Sequence, residues 1–351
     1  MTEKPFVEVK NLRRVFDVSK PWLNRVLEGG HVEFLKAVDD ISFDIAKGET
    51  FALVGESGSG KTTVARMVVG LLPPTSGEVV IDGVSMTDPH QAQVRRQLRR
   101  RIQMIFQDPY ASLNPRLRVD AIVAEPIRAF DLIKSEADIR ARVGELLGLV
   151  GLHANHASYY PHQLSGGQRQ RVNIARALAL HPKLVVCDEA VSALDKSIQA
   201  QILNLLRDLQ QEQRLSYIFI SHDLNVVEYM SDEVAVMYLG RVVEMGPSEL
   251  LYRDALHPYT QALMASIPQL DEATDEPPII DGEIPSPLNP PSGCRFRTRC
   301  PYATEVCAEV PPPLTEITTG HWVACHLHPA PAVIGAAEPE PVRADIYPTT
   351  T

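Results

Sequence analysis

The spacing G-x-x-x-x-G-K-T from Gly55 to Thr62 limits this chain more than any other stretch. An apolar run, Phe51-Ala52-Leu53-Val54, ends at Gly55, and Gly60-Lys61-Thr62 leads into a helix-compatible segment, Thr63 to Val69. A strand, a glycine-rich turn and a helix in that order make a phosphate-binding loop. Glycines let backbone N–H groups converge on phosphate oxygens, and the helix start adds unpaired donors and the positive end of its dipole. Lys61 is placed to reach the β- and γ-phosphates, and the Thr62 hydroxyl to complete the coordination of Mg2+. Gly55, Ser57, Gly58, Ser59, Gly60, Lys61, Thr62 and Thr63 are therefore the candidate nucleotide contacts.

At 351 residues the chain exceeds one average domain and suits a large core with a smaller appended module. No apolar run is long enough to cross a bilayer, and MTEKPFVEVK has no basic region followed by an apolar stretch. The expected location is the cytoplasm, with any membrane role exercised through a partner. A net charge of −10 argues against a general nucleic-acid surface, which calls for clustered Lys and Arg. The one basic cluster, Arg95 to Arg101, reads as a solvated helix face. Five cysteines in a cytosolic chain are not expected to form a disulfide framework.

Taken in order, Val7 to Phe16 alternates loosely and reads as an edge strand, with Phe16 available either to an adenine ring or to the core. Asp17 to Phe34 has no period and reads as a loop insertion. Leu35 to Ile45 then leads into the phosphate-loop strand, so that three strands begin one sheet. Glu78 to Asp82 is a further strand, and Ile102 to Phe106 delivers Gln107 at its end, where a polar side chain faces ligands at a sheet's carboxyl edge.

Leu164-Ser165-Gly166-Gly167-Gln168 precedes a helical pattern, with Ser165 as its cap and open backbone donors beside it. Leu184 to Cys187 is a buried strand ending in Asp188-Glu189, one carboxylate for Mg2+ and the other to orient or deprotonate water. A helix from Gln199 to Gln211 and a strand from Ser216 to Ile220 follow, with His222 at the end of the latter.

With these segments in this order, residues 6 to 250 resemble the ATP-binding subunits of ABC transporters. GESGSGKT matches Walker A, Gln107 the Q-loop, LSGGQ the signature, LVVCDE Walker B, SALD the D-loop and His222 the H-loop. The resemblance implies an α/β P-loop NTPase fold: a RecA-like core, an antiparallel β subdomain and a helical subdomain. It also implies a head-to-tail dimer, in which two ATP molecules lie between the Walker A loop of one subunit and the signature loop of the other. Carried over by position, Lys61 and Thr62 hold phosphate and Mg2+, Asp188 supports the metal with Gln107, Glu189 is the general base and His222 positions the γ-phosphate. Ser165, Gly166, Gly167 and Gln168 would meet the partner's nucleotide.

Phe106 to Arg116, His257 to Pro268 and Gly282 to Pro301 narrow the resemblance to the oligopeptide and dipeptide importers, nearest the F-type subunit. That implies a second ATPase subunit in a heterodimer, two membrane permease subunits, a solute-binding protein served indirectly, and a place on the cytoplasmic face of the inner membrane. The rival reading is a soluble ABC ATPase acting on nucleic acid or ribosomes, but no coiled-coil insertion or second nucleotide domain appears. Two departures stand out: Ala190, where proline is usual and whose absence loosens the turn after Glu189, and Lys196, where an aliphatic residue is usual.

From about Leu251 the composition shifts, and Asp271 to Pro278 reads as an acidic linker. The expected division is an ATPase domain at 1–250, a C-terminal module at 251–328 and a disordered tail at 329–351. Cys294, Cys300, Cys307 and Cys325 give C-x5-C-x6-C-x17-C, which suits zinc, an iron–sulfur cluster or four packed thiols. The importer resemblance implies a [4Fe–4S] cluster there, and the module is also open to reading as a redox or metal sensor. Cys187 belongs to the Walker B strand and reads as core.

Overall fold

The computed structural model describes residues 4–19, 32–267 and 282–329. Most of the expected insertion, the whole Asp271 to Pro278 linker and all but the first residue of the expected tail lie outside the described residues.

Two sheets organise the chain. The first is antiparallel, in the order β2-β1-β4-β5, from β1 (Val7–Asp17), β2 (Phe34–Ile45), β4 (Ser76–Ile81) and β5 (Val84–Ser85). Here the structure corrects two expectations. β1 is interior, paired with β2 on one side and β4 on the other (Val7↔Ile45, Val7↔Ile81), and neither β1 nor β2 joins the sheet of the phosphate-loop strand. Alternation reports one buried face, which Val7, Val9 and Leu12 supply; it does not report how many neighbours a strand has.

The second sheet has eight strands in the order β11-β12-β10-β9-β3-β8-β7-β6. Its parallel part comprises β3 (Thr50–Val54), β6 (Ile102–Ile105), β7 (Leu184–Asp188), β8 (Ser216–Ile220) and β9 (Glu233–Tyr238). β3, β7 and β8 are buried at every position, as strands covered on both faces must be. β10 (Arg241–Pro247), β12 (His321–Val323) and β11 (Thr315–Thr318) continue the sheet antiparallel, so the C-terminal strands extend the main sheet.

The core divides on the two faces of that sheet. Phe51 and Leu53 of β3 point to one side with the antiparallel sheet and helix α1 (Lys61–Val68), while Ala52 and Val54 point to the other. α2 (Ala92–Arg101) ends in Arg99-Arg100-Arg101, exposed as expected. The far side carries α3 (Val119–Ala129), α4 (Glu136–Leu149) and α5 (Gly166–Leu178), which pack on one another and form the helical part of the fold. The long helix α6 (Lys196–Gln213) starts earlier than the pattern suggested because Asp195 caps it, its carboxylate accepting from the Ile198 N–H. α7 (Leu224–Met230), α8 (Ser248–Arg253), α9 (Pro258–Ala265) and the short α10 (Val306–Glu309) complete the set.

Candidate functional site

The parallel strands β3, β8, β7 and β6 are neighbours, and each delivers one candidate group at its carboxyl end. β3 leads to the phosphate loop, β8 to His222, β7 to Asp188 and Glu189, and β6 to Gln107. Four segments far apart in sequence thus meet at one edge, where open α/β sheets bind ligands.

The loop itself is tightly built. Gly55 has φ 139°, and a Cβ there would meet the Met237 carbonyl oxygen at 2.1 Å; Gly60 has φ 107° and would meet that of Ala37 at 2.4 Å. Only glycine fits either place. The buried Lys61 Nζ donates to the carbonyls of Gly55 (2.7 Å) and Glu56 (2.9 Å), where it waits at the mouth of the loop. Burial lowers the Lys61 pKa against the pull of Glu189, Asp188 and Glu56.

Thr62 Oγ1 donates to Asp188 Oδ1 at 2.9 Å. Burial raises the Asp188 carboxyl in spite of that bond. A hydroxyl and a carboxylate side by side suit Mg2+, which keeps waters and phosphate oxygens for the rest of its shell. Gln107 Nε2 donates to Glu189 Oε2 at 2.7 Å, and His222 Nδ1 lies 3.5 Å from Glu189 Oε1. Glu189 therefore stands between the two, in the left-handed region at φ 49°. Its turn is closed by the Ser192 N–H and hydroxyl on the Glu189 carbonyl, without a proline at Ala190.

A cavity of about 390 Å³ opens over these groups, lined by Ser57, Gly58, Gly60, Lys61, Thr62, Thr63, Gln107 and Glu189, with Phe16 on its wall. Arg14 lies over the Phe16 ring at 4.5 Å. The signature residues Ser165, Gly166, Gly167 and Gln168 do not line it. They form the start of α5 as a capping box, Gln168 N–H to Ser165 Oγ (3.3 Å) and Ser165 N–H to Gln168 Oε1 (3.0 Å). His156 Nε2 sits 3.3 Å from Gln168 Nε2, a contact the sequence did not suggest.

Three further contacts escaped the sequence. Lys196, the unusual residue after the D-loop, pairs with Asp223 beside His222. Arg299 pairs with Glu56 inside the phosphate loop, and Pro287 lines the cavity. The only advance signal was the basic run Arg295, Arg297 and Arg299 between two cysteines.

Among the described residues no group of three or more His, Cys, Asp or Glu side chains is arranged to hold a metal ion. Cys294 and Cys300 pack against the main core, and burial first, then the neighbouring thiols of the same four, raise Cys294, Cys300 and Cys325, the last to about 11. Cys187 is fully buried in β7, as read.

Among the described residues no helix is long and apolar enough to cross a membrane. Residues 38–192 match the ABC transporter family, and residues 243–307 the oligopeptide/dipeptide transporter C-terminal region. A putative oligopeptide transport ATP-binding protein, YkfD of Bacillus subtilis, is 48% identical over 93% of this chain and 97% of its own length. The oligopeptide transport ATP-binding protein AppF of the same organism is 45% identical over 93% and 98%. Among solved structures, the ATP-binding cassette MJ0796, a dimer bound to ADP and Pi, covers 69% of this chain and 98% of its own at 30% identity and a TM-score of 0.60. CbiO1 of Clostridium perfringens, part of the transporter complex cbiONQ, covers 72% and 92% at 29% identity and a TM-score of 0.59. The chain belongs to the ATP-binding proteins of the ABC transporter family, in the branch that carries the oligopeptide/dipeptide C-terminal region.

Proposed function

We propose that this chain hydrolyses ATP to drive import of peptides or related solutes through a membrane ABC transporter. The observation that carries the reading is the meeting of Lys61, Thr62 with Asp188, and Glu189 with Gln107 and His222, at one sheet edge of a chain that also has the importer C-terminal region. ATP and Mg2+ are the ligands such an ATPase takes, and the metal neutralises charge on the β- and γ-phosphates when bound. Lys61 leaves the Gly55 and Glu56 carbonyls for the phosphates. Glu189 accepts the proton of the attacking water, with Gln107 and His222 orienting its two oxygens. Ser165 to Gln168 complete a second subunit's site, which explains why they stand apart from the cavity of their own chain.

Co-purification with two permease subunits and a second ATPase subunit is the expected assembly, at the cytoplasmic face of the inner membrane. The groove between Leu71, Phe106, Ser112 and Pro126 is the proposed permease contact, because it adjoins Gln107 and exposes two large apolar side chains. The division into an ATPase domain (1–250), a C-terminal module (251–328) and a tail (329–351) is part of the same proposal. Cys294, Cys300, Cys307 and Cys325 are the proposed ligands of a [4Fe–4S] cluster, supported by the mutual influence of the four thiols on one another, and no step of the ATP cycle runs through it. Anaerobic purification with iron, sulfide and zinc analysis tests that point: near four irons and four sulfides per chain are expected, and protein free of iron refutes it.

The central test is Glu189→Gln. Loss of its basic oxygen leaves the Mg2+ and phosphate contacts intact, so the variant is expected to retain ATP and to lose turnover by at least about a hundredfold. Undiminished hydrolysis would sink the assignment of the base. Retention on nucleic acid at moderate salt, without permease partners, would favour the rival ATPase class.

A further inference from the structure

Glu56 is the first variable residue of the phosphate loop, and three elements hold it. Its carboxylate takes both Nη atoms of Arg299, at 2.8 and 3.0 Å. Its N–H donates to Tyr259 Oη at 2.9 Å, and its carbonyl accepts from Lys61 Nζ at 2.9 Å and the Ser59 N–H at 3.2 Å. Arg299 and Tyr259 both come from the C-terminal part of the chain. The Arg299 side chain is 7% exposed and also donates to Tyr238 Oη at 3.3 Å. The same segment, Cys294 to Cys300, docks a second guanidinium: Arg295 donates to the Leu239 carbonyl and to Asp39. Leu239 lines the nucleotide cavity, and so does Pro287.

We infer that Arg299 is a positioning residue for ATP, acting through Glu56, and that the C-terminal region is thereby a working part of the nucleotide site. The inference rests on the reading of the cavity as an ATP site. Its physical basis is charge and placement together. A carboxylate in a phosphate loop repels the phosphates it is meant to admit. The bidentate guanidinium cancels that charge and fixes the Glu56 peptide on which Lys61 rests. Without Arg299, Glu56 is an unpaired anion in the phosphate loop, and the peptide that sets the Lys61 position keeps only its bonds with Tyr259 and the Ser59 N–H.

Losing Arg299 and losing Glu56 are not equivalent, because the harm in losing Arg299 lies chiefly in the charge left behind. In the full chain, Arg299→Ala is expected to raise KM and Kd for Mg-ATP on the order of tenfold, more than it lowers kcat. Glu56→Gln removes the anion and its need for a partner, and is expected to change KM less than threefold. The double variant Glu56→Gln/Arg299→Ala is then expected to bind ATP nearly as well as Glu56→Gln alone. A role for Arg299 in packing alone would give the opposite pattern, since the double variant would bind no better than Arg299→Ala.

Equilibrium binding of a fluorescent ATP analogue, with thermal unfolding of each variant in parallel, decides the matter. Recovery of affinity in the double variant supports the inference. An Arg299→Ala protein that binds as the wild type does, or a double variant as weak as Arg299→Ala, overturns it. Should Arg299→Ala fail to fold, Arg299→Lys takes its place: it keeps the charge and loses the second hydrogen bond, and an unaltered Kd there overturns the bidentate argument. Wild-type protein that binds no Mg-ATP would overturn the underlying site as well, an outcome distinct from a silent Arg299 in a chain that binds.

Discussion

Lys196 shows how one side chain departs from a family pattern without disturbing its neighbours. It is 81% exposed, and its ammonium meets the Asp223 carboxylate, which is 19% exposed. Water screens such a pair, so it contributes at most about 1 kcal/mol. Asp223 has a second task, because its Oδ1 accepts the Asn225 N–H at 3.2 Å and caps α7, the helix that follows His222. Burial pushes the Asp223 pKa upward, and the Lys196 hydrogen bond and charge outweigh it to leave the carboxyl low. Lys196→Ala is therefore expected to cost under about 1 kcal/mol in urea unfolding, and Asp223→Ala about 1 kcal/mol more through the lost cap. Equal losses from the two variants would assign the whole effect to the ion pair.

At the scale of elements, the junction of α5 and α6 ties the signature loop to the D-loop. A Cβ on Gly167 would lie 2.5 Å from Ile198 Cγ2, a methyl of a β-branched side chain that cannot swing aside freely. Gly167→Ala is expected to cost about 1–3 kcal/mol by overpacking. It should reduce turnover in the assembled transporter while the isolated chain still binds ATP at Lys61. Adding Ile198→Ala makes room, and unfolding curves that fail to recover would place the cost elsewhere. The capping box beneath this junction was readable as S-x-x-Q before an apolar pattern, just as the phosphate loop was readable from its spacing.

Which sheet a strand joins was not readable, because β1 and β2 alternate like any half-buried strand, and β1 pairs not only with β2 but with Ser76 to Ile81 far along the chain. The phosphate loop, Gln107, Asp188, Glu189 and His222 meet where strand ends gather, because parallel order puts those ends on one edge; the signature residues, at the start of a helix, do not. Arg299 and Pro287 were invisible for the opposite reason: they reach the loop from some 230 to 240 positions away, and no local pattern records such a contact.

Across the whole molecule, a buried acid–base cluster and a half-buried carboxylate set opposite responses to pH. Glu244 on β10 is fully buried and accepts from the Leu256 and His257 N–H groups, with His321 Nε2 of β12 at 2.7 Å. Burial pushes Glu244 upward, but its hydrogen bonds with His321, Thr260, Leu256 and His257 together hold it below the ordinary value. Its stabilisation is present above the ordinary carboxylate range and is lost as pH falls through the lower folded value. Burial lowers the neighbouring His257 to about 4. An unfolded chain takes up that proton near 6.5 and the folded chain does not, so stability falls as pH drops from about 6.5 to 4, by roughly 3 kcal/mol.

Glu233, at the start of β9, runs the other way. Burial first, then Glu49, Asp232 and Asp44, raise it to about 7. The folded chain keeps this proton where the unfolded chain releases it, so stability falls as pH rises from about 4.5 to 7. Over most of that window the two slopes oppose, and the wild-type curve of melting temperature against pH is expected to be flatter than either alone. His257→Asn keeps an acceptor for the Tyr259 N–H that His257 Nδ1 now takes at 3.1 Å, and removes the titration. It should leave melting temperature falling as pH rises from 5 to 7. Glu233→Gln should give the reverse, a melting temperature that climbs over the same interval and exceeds that of the wild type at pH 8. Parallel curves for the two variants would show that neither group governs the response, and would put the acid sensitivity of the C-terminal strands on Glu244.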